Sequence, residues 1–228
     1  MTEFTANTIA EGVIQRSDLV AFDWDGTLID SVPYKLAQNQ AIAREFGQKL
    51  SLDEVRKIWN ESSGFADLMQ NLCETDDMNA IMEVVRRDYN NPAFAKRPFE
   101  FTPSVLRKVR ALGKQTALIT NVTRELLKVD AKTANIPDLD EHFDFVQTPD
   151  DYPHKKPDPR VFDAMLKSLD AQANQVVYIG DEEKDAIAAK EARIRFIGVE
   201  SGMATDAEFA NIGAFSVRSL GELALKAR

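Results

Sequence analysis

The stretch Leu19-Val20-Ala21-Phe22-Asp23-Trp24-Asp25-Gly26-Thr27 passes from apolar, β-prone chain to a polar turn. Residues 19–24 read as a strand, and because they are apolar almost throughout instead of alternating, that strand calls for cover on both faces. The strand runs out into two carboxylates at positions i and i+2, which on an extended chain share one side. Gly26 permits a sharp turn and a close approach of backbone N–H groups to an anion, and Thr27 adds a hydroxyl. The stretch suits a phosphoryl group and a cation. It equally suits a plain strand-to-loop turn, which Asp and Gly often build.

Outward from this stretch, short β-rich runs recur at 116–120, 143–146, 175–180, 194–199 and 214–217. Helical segments lie between them, one of them with Thr102 as its cap, Pro103 in its first turn and Gly113 as its stop. Strand and helix alternate, which predicts an α/β fold built on a doubly wound parallel sheet. Residues 31–99 break the rhythm, because they hold no convincing strand and read as helices. The first runs from Pro33 to Gly47, and the second opens with Ser51 and Glu54 in capping-box spacing. Two more fit 63–72 and 76–90, with Asn91 and Pro92 stopping the last. The chain therefore divides into a core, 1–30 with 100–228, and an inserted all-α domain, 31–99. The 228 residues split into about 160 and roughly 70, both ordinary domain sizes. Residues 1–17 read either as a short helix or as a loose lead.

Composition narrows the setting. With 37 acidic and 28 basic residues the formal charge is −9, so the average surface repels nucleic acid and anionic lipid. Cys73 is the single cysteine and cannot form an internal disulfide, which fits a reducing, cytoplasmic setting. No apolar run approaches the ~20 residues of a membrane span, and the opening residues lack a signal-peptide pattern.

The other strand ends carry chemistry of the same kind. The second strand finishes in Thr120-Asn121, a hydroxyl and an amide. Lys155-Lys156-Pro157-Asp158-Pro159 precedes a later helix, its prolines stiffening a loop that can direct an ammonium inward. Gly180-Asp181 ends the strand at 175–180, with Asp185 four residues on, a carboxylate set suited to Mg²⁺. Each alone is more often a cap or a solvated turn.

In order, DxDGT, then T-N, then K-P-x-P, then G-D-x-x-x-D resembles the haloacid dehalogenase-like (HAD) hydrolase superfamily over residues 19 to about 200. The helical insertion is similar to the mobile cap of its phosphoglycolate-phosphatase-like branch. The resemblance implies a Rossmann-like core with a cap and a Mg²⁺-dependent phosphatase acting on a small phosphorylated metabolite through an aspartyl-phosphate. It implies Asp23 as nucleophile, Asp25 as general acid and base, Thr120 on the phosphoryl group, and Lys156 neutralising charge and orienting Asp23. Asp181 would hold Mg²⁺ with Asp23 and the backbone carbonyl of Asp25, while Asp185 would support Lys156 or the metal from behind. Gly26, Thr27 and Asn121 complete the phosphate-handling set.

Departures from the family pattern narrow the reading. An acid at Asp25 is what dehalogenases of the family lack. Tyr34 is followed by Lys35, where sugar-phosphate mutases carry histidine, and Lys35 is the nearest candidate for the imine lysine of phosphonate-cleaving relatives. Trp24 stands where an aliphatic residue is usual and is expected to fill core. Glu191-Ala192-Arg193 replaces the usual small residues and glycine at a helix exit. Substrate choice is expected from Ser62-Ser63-Gly64-Phe65, with hinges at 30–33 and 96–102, although such a turn is also an ordinary helix connection. The rival of another class is a phosphate- and Mg²⁺-binding signalling module, but receiver domains are shorter and lack both DxDGT and the insertion. The substrate's identity and the oligomeric state are not encoded in these motifs.

Overall fold

The computed structural model describes residues 5–89, 96–134, 136 and 138–225. In chain order it runs α1 (Ala6–Arg16), β1 (Leu19–Phe22), β2 (Ile29–Asp30), α2 (Val32–Glu45), α3 (Leu52–Glu61), α4 (Phe65–Cys73) and α5 (Met78–Tyr89). There follow β3 (Arg97–Pro98), α6 (Thr102–Ala111), β4 (Gln115–Ile119), α7 (Arg124–Thr133), α8 (Leu139–His142) and β5 (Phe145–Gln147). The chain closes with α9 (Asp163–Ser168), β6 (Val176–Gly180), α10 (Glu183–Glu191), β7 (Arg195–Val199), α11 (Asp206–Asn211) and β8 (Ser216–Val217). Backbone contacts divide it into two compact units, Met1–Asp30 with Arg97–Arg228, and Ser31–Lys96. Residues 97–99 fall with the first unit because Ile29 and Asp30 pair antiparallel with Pro98 and Arg97, and Phe99 N–H donates to the Leu28 carbonyl.

The first unit is built on a parallel sheet of order β5-β4-β1-β6-β7-β8. Phe22 lies opposite Leu118 on one side and Ile179 on the other. Strand order reverses at β1, the place where the carboxyl edge of an open α/β sheet leaves a crevice for ligands. Both faces are covered. Val20, Phe22, Leu118, Val177 and Ile179 pack with Ile14, Val105, Val109 and Leu127, whereas Leu19, Ala21, Ile119 and Tyr178 pack with Phe162, Met165, Ala188 and Ala189. A strand buried on both sides has no solvent face to require alternation, which explains the unbroken apolar runs.

Residues 6–16 form a helix, capped by Thr5 Oγ1 accepting from Thr8 N–H. Ala10 and Ile14 are buried in the core, and the Ala224 N–H donates to Glu11, so this helix is pinned at both its apolar and its polar side. Two details depart from the sequence expectations, and a third gives the helix exit after α10 its geometry. Thr102 is not the cap of α6, since Phe101 holds that position; the Thr102 hydroxyl donates instead to the Leu28 carbonyl at 2.6 Å. The strand expected at 143–146 lies at Phe145–Gln147, because the Asp144 carboxylate turns to accept from Thr116 N–H. Arg193, standing where a glycine is usual, takes φ 59°, a left-handed conformation that costs a side chain about 1–2 kcal/mol.

In the second unit, α2 packs against α3, α4 and α5, and α4 against α3 and α5, with Leu36, Ile42, Val55, Leu68, Leu72 and Ile81 buried. Ser51 and Glu54 form the expected capping box. The third helix begins at Phe65, with Gly64 extended at its N-cap, and α5 begins at Met78, where the Asp77 carboxylate accepts from Ala80 N–H. Asn91 and Pro92, expected to stop that helix, lie outside the described residues.

Candidate active site

The carboxyl ends of β1, β4 and β6 bring together residues distant in sequence. Asp23 follows β1, and its N–H still donates to the Ile179 carbonyl at 2.8 Å, which fixes where its side chain leaves the sheet. Beyond it the chain turns back on itself: Leu28 and Ile29 N–H both donate to the Trp24 carbonyl, and Gly26 N–H to Ile29. Gly26 sits at φ 74°, open to glycine and strained for other residues. Trp24 is fully buried among core residues, as expected for a filler; its Nε1 has no hydrogen-bond partner among the described residues.

Lys156 enters from the loop before α9 and is buried, its amine 2.7 Å from Asp23 Oδ1, 2.6 Å from Asp185 Oδ1 and 2.8 Å from the Tyr178 hydroxyl. Its backbone is held by Asn121, whose Oδ1 accepts from Lys156 N–H and whose Nδ2 donates to the Lys156 carbonyl. Burial alone would strip this amine of its proton, but Asp185 and Asp23 more than compensate and hold it well above the usual lysine range. Burial pushes Asp23 up to about 6, with the adjoining ammonium pulling the other way and Asp185 adding to the rise. A buried lysine between two aspartates leaves the trio one negative charge in excess, an arrangement that needs a further cation or proton to be comfortable.

Asp181 adds a third buried carboxylate beside this trio's two. It is buried, and burial followed by the charges of Glu182 and Asp23 raises its carboxyl well above the usual range. Its Oδ2 accepts from Met203 N–H at 2.9 Å, whereas Oδ1 has no hydrogen-bond partner among the described residues. Ligand oxygens of Asp23, Asp181 and Asp185 lie within 4.8 Å of one another. Hard carboxylate oxygens with one orphaned and buried fit a divalent cation. Asp185 is the least available of the three, because Oδ1 meets Lys156 and Oδ2 accepts from both Asp181 and Glu182 N–H.

The cradle of Asp181 is made of glycine. A Cβ on Gly26 would stand 2.1 Å from Asp181 Oδ2, and one on Gly202 2.1 Å from both its Cβ and Oδ2. A Cβ on Gly180 would likewise stand 2.6 Å from Asp185 Oδ2. The Ser201 hydroxyl donates to the Gly26 carbonyl at 3.1 Å, tying the segment after β7 to the turn after β1.

The remaining sequence-predicted residues divide. Thr120 is buried at the end of β4, its Oγ1 accepting from Val122 N–H, which leaves the hydroxyl proton to be directed elsewhere. Asn121 holds the Lys156 backbone through both atoms of its amide, which leaves one N–H of that amide over. Thr27 is fully buried, and its hydroxyl has no hydrogen-bond partner among the described residues. Asp25 is buried two residues from Asp23. Gly64 belongs to the second unit, with nothing within 4 Å of where its Cβ would stand; there too the Lys35 amine lies 5.4 Å from the centre of the Trp59 ring. The sequence reading passed over Tyr178, Ser201, Gly202 and Met203: an aromatic in a strand looks like filler, and Ser-Gly in a loop looks like a turn.

Residues 20–199 match the family described as Haloacid dehalogenase-like hydrolase. The chain is 29% identical over 198 residues to the phosphoglycolate phosphatase of Neisseria meningitidis, covering 83% of each. It is 28% identical over 176 residues to that of Aquifex aeolicus, covering 76% of this chain and 80% of the relative. Among solved structures, CbbY from Rhodobacter sphaeroides in complex with phosphate is similar in fold, with a TM-score of 0.72 at 19% identity, over 91% of this chain and 96% of that one.

Proposed function

This chain belongs to the haloacid dehalogenase-like hydrolases, in their phosphoglycolate-phosphatase-like branch, and we propose that it hydrolyses a small phosphomonoester with Mg²⁺ through an aspartyl-phosphate on Asp23. The observation that carries this reading is the buried set Asp23, Lys156, Asp185 and Asp181 at the carboxyl edge of the sheet.

Asp23 Oδ1 is engaged by Lys156, which leaves the second carboxylate oxygen for the attack on phosphorus. Lys156 orients that carboxylate and offsets the charge that builds on the phosphoryl oxygens. The Thr120 hydroxyl, whose oxygen accepts from Val122 N–H and whose proton is left over, donates to one of those oxygens. Asp25, carrying a proton, gives it to the departing alkoxide and then takes one from the water that cleaves the aspartyl-phosphate. Mg²⁺ would be held by Asp23, Asp181 and the backbone carbonyl of Asp25. When bound it supplies the positive charge that lets an anionic nucleophile approach an anionic phosphorus. The Ser62-Ser63-Gly64-Phe65 turn of the second unit selects among phosphorylated metabolites, phosphoglycolate-like acids and sugar phosphates being the classes to try first.

A panel of phosphorylated metabolites, assayed for inorganic phosphate with and without Mg²⁺, tests this reading. Wild type is expected to release phosphate only with the metal, and folded Asp23→Asn to release none. Wild-type turnover by Asp23→Asn, or phosphate release indifferent to metal, would overturn it.

A further inference from the structure

Tyr178 sits in the middle of β6 with no exposed surface. Its ring packs edge-on against Phe162 at 5.0 Å and tilted against Phe196 at 6.3 Å, contacts a phenylalanine would make as well. What phenylalanine lacks is the hydroxyl, and a buried hydroxyl is a cost unless it is bonded on both its donor and its acceptor side. Here it is. The oxygen accepts from the Lys156 amine at 2.8 Å, and the proton goes to the Ile119 carbonyl at 3.1 Å, nearer than its other acceptor, Asp185 Oδ1 at 3.4 Å.

An ammonium has three protons, and Lys156 aims them at Asp23, Asp185 and Tyr178. Two of these partners are anions and the third is neutral. A third carboxylate would make the pocket more hostile to an anionic substrate, and an apolar group would leave a buried N–H unpaired. The neutral oxygen also comes with its own anchor. Ile119 immediately precedes Thr120-Asn121, and Asn121 grips the Lys156 backbone. The end of β4 therefore holds Lys156 at both ends, its backbone through Asn121 and its amine through Tyr178.

We propose that Tyr178 is a positioning residue for the reaction: its hydroxyl, anchored on the Ile119 carbonyl, sets the direction of the Lys156 ammonium relative to Asp23 and the phosphoryl group. This rests on the reading of Lys156 as the partner of nucleophile and phosphoryl group. It separates the ring, which fills core, from the oxygen, which acts through the lysine.

The test is a double-mutant cycle of Tyr178→Phe and Lys156→Met, measured on p-nitrophenyl phosphate with Mg²⁺, folding being checked by circular dichroism. Tyr178→Phe alone is expected to lower kcat/KM about tenfold, equivalent to roughly 1.4 kcal/mol. The loss should fall on kcat with KM within about twofold, as for an interaction strongest in the transition state. In the Lys156→Met background the same change should alter kcat/KM by less than about twofold, since residues acting as a unit are not additive. Orthovanadate affinity, measured by calorimetry on the same four proteins, provides a second readout independent of residual turnover and should show the same pattern. Equal losses from Tyr178→Phe in both backgrounds, or no loss in wild type, would overturn the role of Tyr178. Wild-type activity in Lys156→Met would overturn the reading of the lysine itself, and the role of Tyr178 with it.

Discussion

The polar residues at the sheet edge of the first unit and those at the Ser63-Gly64-Phe65 turn of the second are held in opposite ways. Asp23, Lys156, Asp181 and Asp185 are buried and, with the Met203 N–H, bonded across four separate chain segments. At the turn, Phe65 is 53% exposed, Gly64 has open space around it, and Ser63 is tied to Asp67 in the next turn of helix. A buried, cross-linked set tolerates almost no change because each member sets the position and charge of the others. An open turn held by local bonds can be altered without disturbing the fold around it. On the proposed reading, chemistry belongs to the first kind of region and selection to the second.

The sharpest way to break this contrast is at Asp25. Replacing it with Asn keeps the shape and removes the acid, so kcat on p-nitrophenyl phosphate should fall about 10²- to 10⁴-fold; near-wild-type turnover would remove it from the mechanism. Gly202 comes next. Any side chain there must displace Asp181, and Gly202→Ala should raise the Mg²⁺ concentration for half-maximal activity about tenfold or more, in line with changes to groups that orient metal ligands. The Mg²⁺-induced rise in Tm should weaken in parallel, and an unchanged metal titration would show that Asp181 is held by other means.

At the open turn the same kind of change should act differently. Gly64→Leu is expected to shift KM severalfold among larger substrates while leaving hydrolysis of small aryl phosphates intact; identical profiles across the panel would remove the turn from selection. The smallest effect lies at Cys73, buried in α4 and far from the proposed chemistry in kind. Burial pushes its thiol up to about 11 from an ordinary 9.0. Because the folded state keeps this proton after the unfolded chain has lost it, stability falls as pH rises through that window. Urea midpoints between pH 9 and 11 should decline more steeply for wild type than for Cys73→Ala, and parallel declines would contradict the burial argument.

The parts of this account legible in sequence share a physical reason. Strands covered on both faces leave unbroken apolar runs, and the acids, hydroxyl and lysine at their ends have few structural reasons to recur in that order. Tyr178, Gly202 and Met203 were not legible because their roles arise from tertiary approach. A tyrosine in a strand looks the same whether or not its hydroxyl meets a lysine 22 residues away, and Met203 contributes only its backbone N–H. Asn121 adds a second role of the same kind: its amide holds the Lys156 backbone, a use that no local pattern announces. Thr102 likewise had the composition of a cap, yet a neighbouring carbonyl from a distant segment claimed its hydroxyl.

The central claim is covalent catalysis at Asp23, and rapid acid quench during turnover of a good substrate, followed by peptide mass spectrometry, addresses it most directly. A phosphate adduct on the peptide bearing Asp23 is expected, absent from Asp23→Asn and accumulating to a higher level in Asp25→Asn when the leaving group needs no protonation. Turnover with no adduct on any aspartate, or an adduct that persists in Asp23→Asn, would contradict it.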